Sequence, residues 1–166
     1  MHFRSAILAM SVMLLASVAY AQPSHPKSSH DTVSTKYITI TYGRPSMKGR
    51  EIFGKLVPYG QVWRLGADEA TTITFAKDGT FGNQLVKAGT YALFAIPNEH
   101  TWTFILNSQV KQWGLDHEKN KDKDVLKVNV NTVPTNTPVE QFTISLTPMA
   151  ITFEWEKAKV VVPVKQ

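Results

Sequence analysis

Residues 142–164 read FTISLTPMAITFEWEKAKVVVPV, and their apolar side chains recur in twos. Phe142, Ile144 and Leu146 alternate with Thr143 and Ser145, Ile151, Phe153 and Trp155 with Thr152 and Glu154, and Val160, Val162 and Val164 follow. A period of two puts alternate side chains on one face of a pleated strand. Upstream the pattern repeats in Trp102/Phe104/Leu106 and in Leu126/Val128/Val130. Tyr37-Ile38-Thr39-Ile40-Thr41, Thr72-Ile73-Thr74-Phe75 and Tyr91-Ala92-Leu93-Phe94-Ala95-Ile96 add aromatic and β-branched runs. Lys77-Asp78-Gly79-Thr80 is expected to turn, its Asp-Gly suiting a tight hairpin, and Lys87-Ala88-Gly89-Thr90 to turn again. Helical signal is confined to a turn or two at Ser108 to Trp113, and Asp116 to Asp124 reads as a charged loop. Eight or nine short strands predict an all-β fold: a single antiparallel β-sandwich, or barrel-like sandwich, with at most one or two short helices.

The chain has 166 residues, 43% of them hydrophobic, with no cysteine and a net charge of +5. That is one domain, large enough to bury a core without a disulfide or structural metal. Absence of cysteine excludes thiol catalysis, cysteine-ligated zinc, iron–sulfur clusters and a lipoprotein anchor. Residues 1–21, MHFRSAILAMSVMLLASVAYA, carry Arg4, a short apolar run and Ala19-Tyr20-Ala21. They read as a signal peptide for export by the Sec route, to the periplasm or beyond, with no membrane span after cleavage. Residues 22–35 read as a flexible polar leader in which His25 and His30 are solvated, and residues 36–166 as the β-sandwich domain.

One long segment departs from the strand pattern. Residues 42–70, YGRPSMKGREIFGKLVPYGQVWRLGADEA, hold five of the nine glycines, which calls for repeated turns. Between Arg44 and Arg64, the basic residues Arg44, Lys48, Arg50, Lys55 and Arg64 face only Glu51, a local net charge of +4. Past residue 21 the chain has 17 basic and 13 acidic residues, so this segment accounts for the whole surplus and contains every arginine. A surplus confined in this way argues against nucleic acid, which calls for an extended basic stripe.

The ordered motifs Tyr42-Gly43-Arg44-Pro45, Lys48-Gly49-Arg50, Ile52-Phe53-Gly54, Val57-Pro58-Tyr59-Gly60, Val62-Trp63-Arg64, Gly66-Ala67 and Glu69-Ala70-Thr71 resemble a bacterial family called domain of unknown function 2911. Ala88-Gly89-Thr90-Tyr91, Trp113-Gly114 and Trp155-Glu156 extend the resemblance over about residues 36–164. It implies an exported bacterial protein and no particular activity. It also implies Asn at position 68, where this chain has Asp.

Guanidinium groups offer planar forks of donors to carboxylates and phosphates, and aromatic rings offer stacking walls. The candidate ligand-binding residues are therefore Arg44, Arg50 and Arg64 as donors, Tyr59 and Trp63 as walls, and Asp68 and Glu69 as groups that orient the arginines or accept ligand hydroxyls. The expected ligand is a small anion, a carbohydrate or an envelope partner. A hydrolase using Asp68 or Glu69 with Arg64 is the alternative, and a structural or assembly protein of the envelope the second. Catalysis ranks lower, since the chain has no G-x-S-x-G elbow and no P-loop. No cofactor is expected, and no metal, because His100 and His117 lack zinc-ligand spacing.

Overall fold

The protein is described here for residues 28–166 in a computed structural model; the signal-peptide reading falls on residues outside that range. Nine strands follow in order: β1 Ser29–Ser34, β2 Ile38–Arg44, β3 Thr71–Phe75, β4 Gly79–Phe81, β5 Gln84–Val86, β6 Gly89–Ile96, β7 Thr101–Asn107, β8 Asp124–Leu146 and β9 Ala150–Lys165. All pairings are antiparallel, in the order β1-β2-β3-β6-β7-β8-β9-β4-β5.

The strand β8 turns this open sheet into a sandwich-like arrangement. It spans 23 residues. Its first part, through Asn131, pairs with β7, and from Thr132 onward it pairs with β9. Register shifts between Pro134 and Val139 and between Val139 and Thr143 mark the corner, as expected of a strand that passes from one layer to the other. The layers then face each other through aromatic side chains: Phe104 of β7 lies 4.8 Å from Phe153 of β9, and Phe75 of β3 lies 6.4 Å from Phe81 of β4. Ile40, Ile73, Leu93, Phe104, Phe142, Ile151, Val160 and Val162 are fully buried in one core, as their period of two requires.

The far side is closed by the chain leaving β2. Met47 N donates to Glu140 O at 2.8 Å and Phe142 N to Pro45 O at 2.9 Å, and the Tyr42 hydroxyl accepts from Ile144 N at 3.0 Å. These bonds tie the chain around β2 to β8, while the sheet stays open, with β1 and β5 at its ends.

Three local expectations are corrected. The polar stretch read as a flexible leader supplies β1, whose residues pair with β2 from Ser29↔Arg44 to Ser34↔Thr39; a strand end with Thr and Val satisfies the open backbone groups of β2 despite burying little. The Asp78-Gly79 pair does not turn a hairpin. The turn falls at Gly82-Asn83, where φ of 58° and 67° gives the doubly left-handed geometry of a two-residue hairpin loop. Asp78 instead accepts from Ala88 N at 2.8 Å and from Lys87 Nζ at 2.7 Å. Finally, Ser108 to Trp113 is irregular, and the only helix among the described residues is a 3-10 segment, His117–Lys123, inside the charged stretch. Its pairs Asp116–Lys119 and Glu118–Lys121 sit three residues apart, the spacing that a 3-10 turn brings together.

Candidate functional site

The Arg/aromatic loop between β2 and β3 is anchored from three sides. Both carboxylate oxygens of Glu156 accept backbone hydrogen bonds, from Ile52 N and Phe53 N at 3.1 Å each. Trp63 exchanges two backbone bonds with Ala95 of β6, at 2.7 and 2.9 Å, and Gly60 N donates to Pro97 O at 2.9 Å. The rings of Phe53 and Trp63 enter the core: Trp63 stacks on Trp155 at 5.7 Å, and Phe53 lies 5.0 Å from Trp102. Ile52 and Leu65 are fully buried. Elsewhere the loop walls a cleft.

Residues 64–68 form the sharpest part of the loop. Leu65 and Asp68 have left-handed backbones, at φ of 53° and 65°, a conformation costly for Leu and tolerated by Asn or Asp. The Asn implied at position 68 by the family resemblance and the Asp present here both suit that geometry. The turn is held by Trp63 Nε1, which donates to Gly66 O at 3.2 Å, and by the Thr71 hydroxyl, which donates to Leu65 O at 2.7 Å. Gly43 is required opposite it, because a Cβ there would fall 2.3 Å from Ala67 O.

This turn presents Arg64 and Asp68 to a cleft of about 510 Å³ lined also by Arg50, Leu56, Val57, Pro58, Val62, Trp63, Leu115 and Trp155. The wall is mixed, with apolar side chains on most of it and three charged groups.

The seven residues singled out from the sequence divide. Arg44 stays in the sandwich: Nε donates to Phe142 O at 3.3 Å, Nη2 to Thr143 Oγ1 at 3.1 Å, and Nη1 to Asp31 Oδ2 at 3.3 Å. It braces β1, β2 and β8 and does not line the cleft. Arg50 lines the cleft, yet its Nε and Nη2 donate to the carbonyls of Met47 and Ser46 at 2.9 and 2.7 Å. The Arg64 guanidinium lines it with no side-chain hydrogen bond or ion pair among the described residues, its stem lying against Gly114. Trp63 contributes an edge to the cleft and its body to the core. Tyr59 lies elsewhere, in a second hollow with His100, Glu99 and Glu156. Burial, with Glu99, Glu156 and Glu51 nearby, raises its hydroxyl above the ordinary tyrosine value. Asp68 accepts from Ser28 N at 2.9 Å. Glu69 approaches His30 Nε2 at 3.2 Å.

A match to the family model described as "Protein of unknown function (DUF2911)" covers residues 24–164. The chain belongs to that family. Searches of curated proteins and of solved structures find no match. DUF2911 is an uncharacterised bacterial family, and its model includes β1, the strand that composition disguises as a leader.

His30 is the residue that sequence reasoning missed. Its place on β1 brings it to Asp68 and Glu69, and the three offer one ligand atom each within 4.8 Å of one another. The usable signal was Thr32-Val33-Ser34-Thr35, a β-branched end to an otherwise polar segment. A second titratable cluster lies under the 3-10 helix, where buried His117 meets Asp124 Oδ1 at 2.9 Å and Asn107 Nδ2 donates to the same oxygen at 2.8 Å. Burial alone would raise the Asp124 carboxyl; bonds from Asn107, His117 and Lys127 outweigh it and hold it below the usual carboxylate range. None of the helices among the described residues is long and apolar enough to cross a membrane.

Proposed function

We propose that this DUF2911 protein is an exported binding module whose 64–68 turn holds a small amphipathic anion, such as an organic acid or an acidic sugar. One observation carries the reading: the Arg64 guanidinium lines a ligand-sized cleft with no polar partner among the described residues, whereas those of Arg44 and Arg50 donate into the fold. A guanidinium held at the wall of a cleft offers its planar fork to a carboxylate or phosphate. Leu56, Val57 and Val62 supply an apolar surface for the rest of the ligand, and Asp68 can accept a hydroxyl.

A thermal-shift screen of the mature protein against organic acids, acidic sugars and sugar phosphates tests this, because a ligand that binds only the folded state raises the melting temperature. At least one of these compounds is expected to stabilise the wild type, with the shift reduced in Arg64→Lys and lost in Arg64→Ala. Absence of any shift, or a shift that survives Arg64→Ala, overturns the proposal.

The hydrolase reading keeps a single supporting observation, the approach of His30 to Glu69 beside Asp68. Hydrolysis of ester or glycoside probes that disappears in Asp68→Asn or Glu69→Gln would establish it over simple binding.

A further inference from the structure

The cluster of His30, Asp68 and Glu69 lies where the edge strand β1 meets the end of the long loop. The tautomer of His30 follows from its partners. Ring Nδ1 lies 3.0 Å from Ser28 O; a carbonyl oxygen only accepts, so Nδ1 carries hydrogen. In the neutral ring the lone pair is then on Nε2, which points at a carboxylate oxygen 3.2 Å away, with the Asp68 carboxylate within 4.8 Å. A lone pair facing an anion is repulsive unless a cation lies between them. That cation is either a proton on Nε2 or a metal ion held by all three groups.

We infer that these residues form a binding site for a divalent transition ion of the zinc or manganese type. Two features favour the metal over the proton. The donor set combines an imidazole with two carboxylates, a mixture suited to first-row transition ions. The Nδ1–H to carbonyl bond is the second contact that metal-ligating histidines usually make, fixing ring orientation and tautomer. The 3.2 Å between Nε2 and the Glu69 oxygen fits two neighbouring ligands each at about 2.1 Å from one ion, as it also fits a hydrogen bond. The third ligand atom lies within 4.8 Å of the others and closes by up to about 1.5 Å to join them on one ion. The exposed side chains of His30 and Glu69 supply that movement, while Asp68 stays on the held 64–68 turn. Asp68 also lines the cleft of Arg64, so the ion sits at the border of the proposed ligand site; its existence does not depend on that ligand.

The test uses metal-stripped mature protein and no organic ligand. Isothermal titration with zinc and with manganese chloride is expected to show one saturable site, and the same ions are expected to raise the melting temperature. Both effects should fall at least tenfold in His30→Ala and in Glu69→Gln and persist in His100→Ala, a histidine outside the cluster. Calcium should bind more weakly than either ion. Circular dichroism of the exposed-site variants checks that they remain folded. Lack of saturable binding of zinc or manganese, equal binding in His30→Ala, or a preference for calcium overturns the proposal and leaves an imidazolium–carboxylate pair. Failure of the Arg64 screen does not bear on this outcome.

Discussion

Gly114 and Arg64 illustrate how one backbone position governs a distant side chain. A Cβ on residue 114 would fall 2.1 Å from Arg64 Cδ and 2.8 Å from Arg64 Cβ, so both the stem and its root must move. Gly114→Ala is therefore expected to abolish the Arg64-dependent thermal shift while the far-UV spectrum stays that of the wild type. An unchanged ligand response would show that Arg64 can be displaced without consequence for binding. At this scale the sequence was only partly readable. Segregation of the arginines into one loop was visible as a charge balance, but which guanidinium turns outward was not, because Arg44 owes its role to Phe142 and Thr143, about a hundred positions away. The same holds for Trp63: its aromatic character was plain, and its burial depends on Trp155 and Phe142.

Among the elements, the 3-10 segment has the clearest physical test. Asp124 at its end accepts from Asn107 and His117 and pairs with Lys127 at 3.2 Å. Because its carboxyl is held below the usual range when folded, its ionised form stabilises the native state. That contribution is complete above the unfolded value of about 3.9 and is lost as pH falls through the lower folded value. Asp124→Asn is expected to cost about 1–3 kcal/mol at pH 7, the range for leaving a buried partner poorly satisfied. The gap between variant and wild type should narrow below about pH 4 in denaturant titrations. A gap constant from pH 7 to pH 3 would assign the role to shape alone. Strands proved more legible than this helix because their period of two is imposed by burial of one face. The charged stretch has no such face, and its helical turn rests on charge pairs and on Asn107, which no local pattern reveals. β1 was hidden for a related reason: it is an edge strand held mainly by backbone bonds to β2, and side-chain composition says little about those.

For the whole molecule, the all-β class and sandwich-like layering were readable from alternation, while the order of strands was not. Neighbours such as β9 and β4 are far apart in sequence, and pairing across that span leaves no local mark. The two layers are held by facing aromatics, so Phe153→Ala is expected to cost about 3–5 kcal/mol, the range for emptying a large buried ring position. Chemical denaturation should show it as a lower midpoint with little change in slope. A loss under about 1 kcal/mol would mean that the layers do not depend on this contact.

The bond from Ile144 N to the Tyr42 hydroxyl joins residues 102 positions apart. The contacts that seal β2 against β8 therefore need residues from the last quarter of the chain. Topology of this kind, rich in distant pairings, places refolding in roughly the millisecond-to-second range typical of sandwiches. A chain interrupted near residue 139 is therefore expected to lose the closure between β2 and β8, which circular dichroism and denaturant titration of that truncation would read.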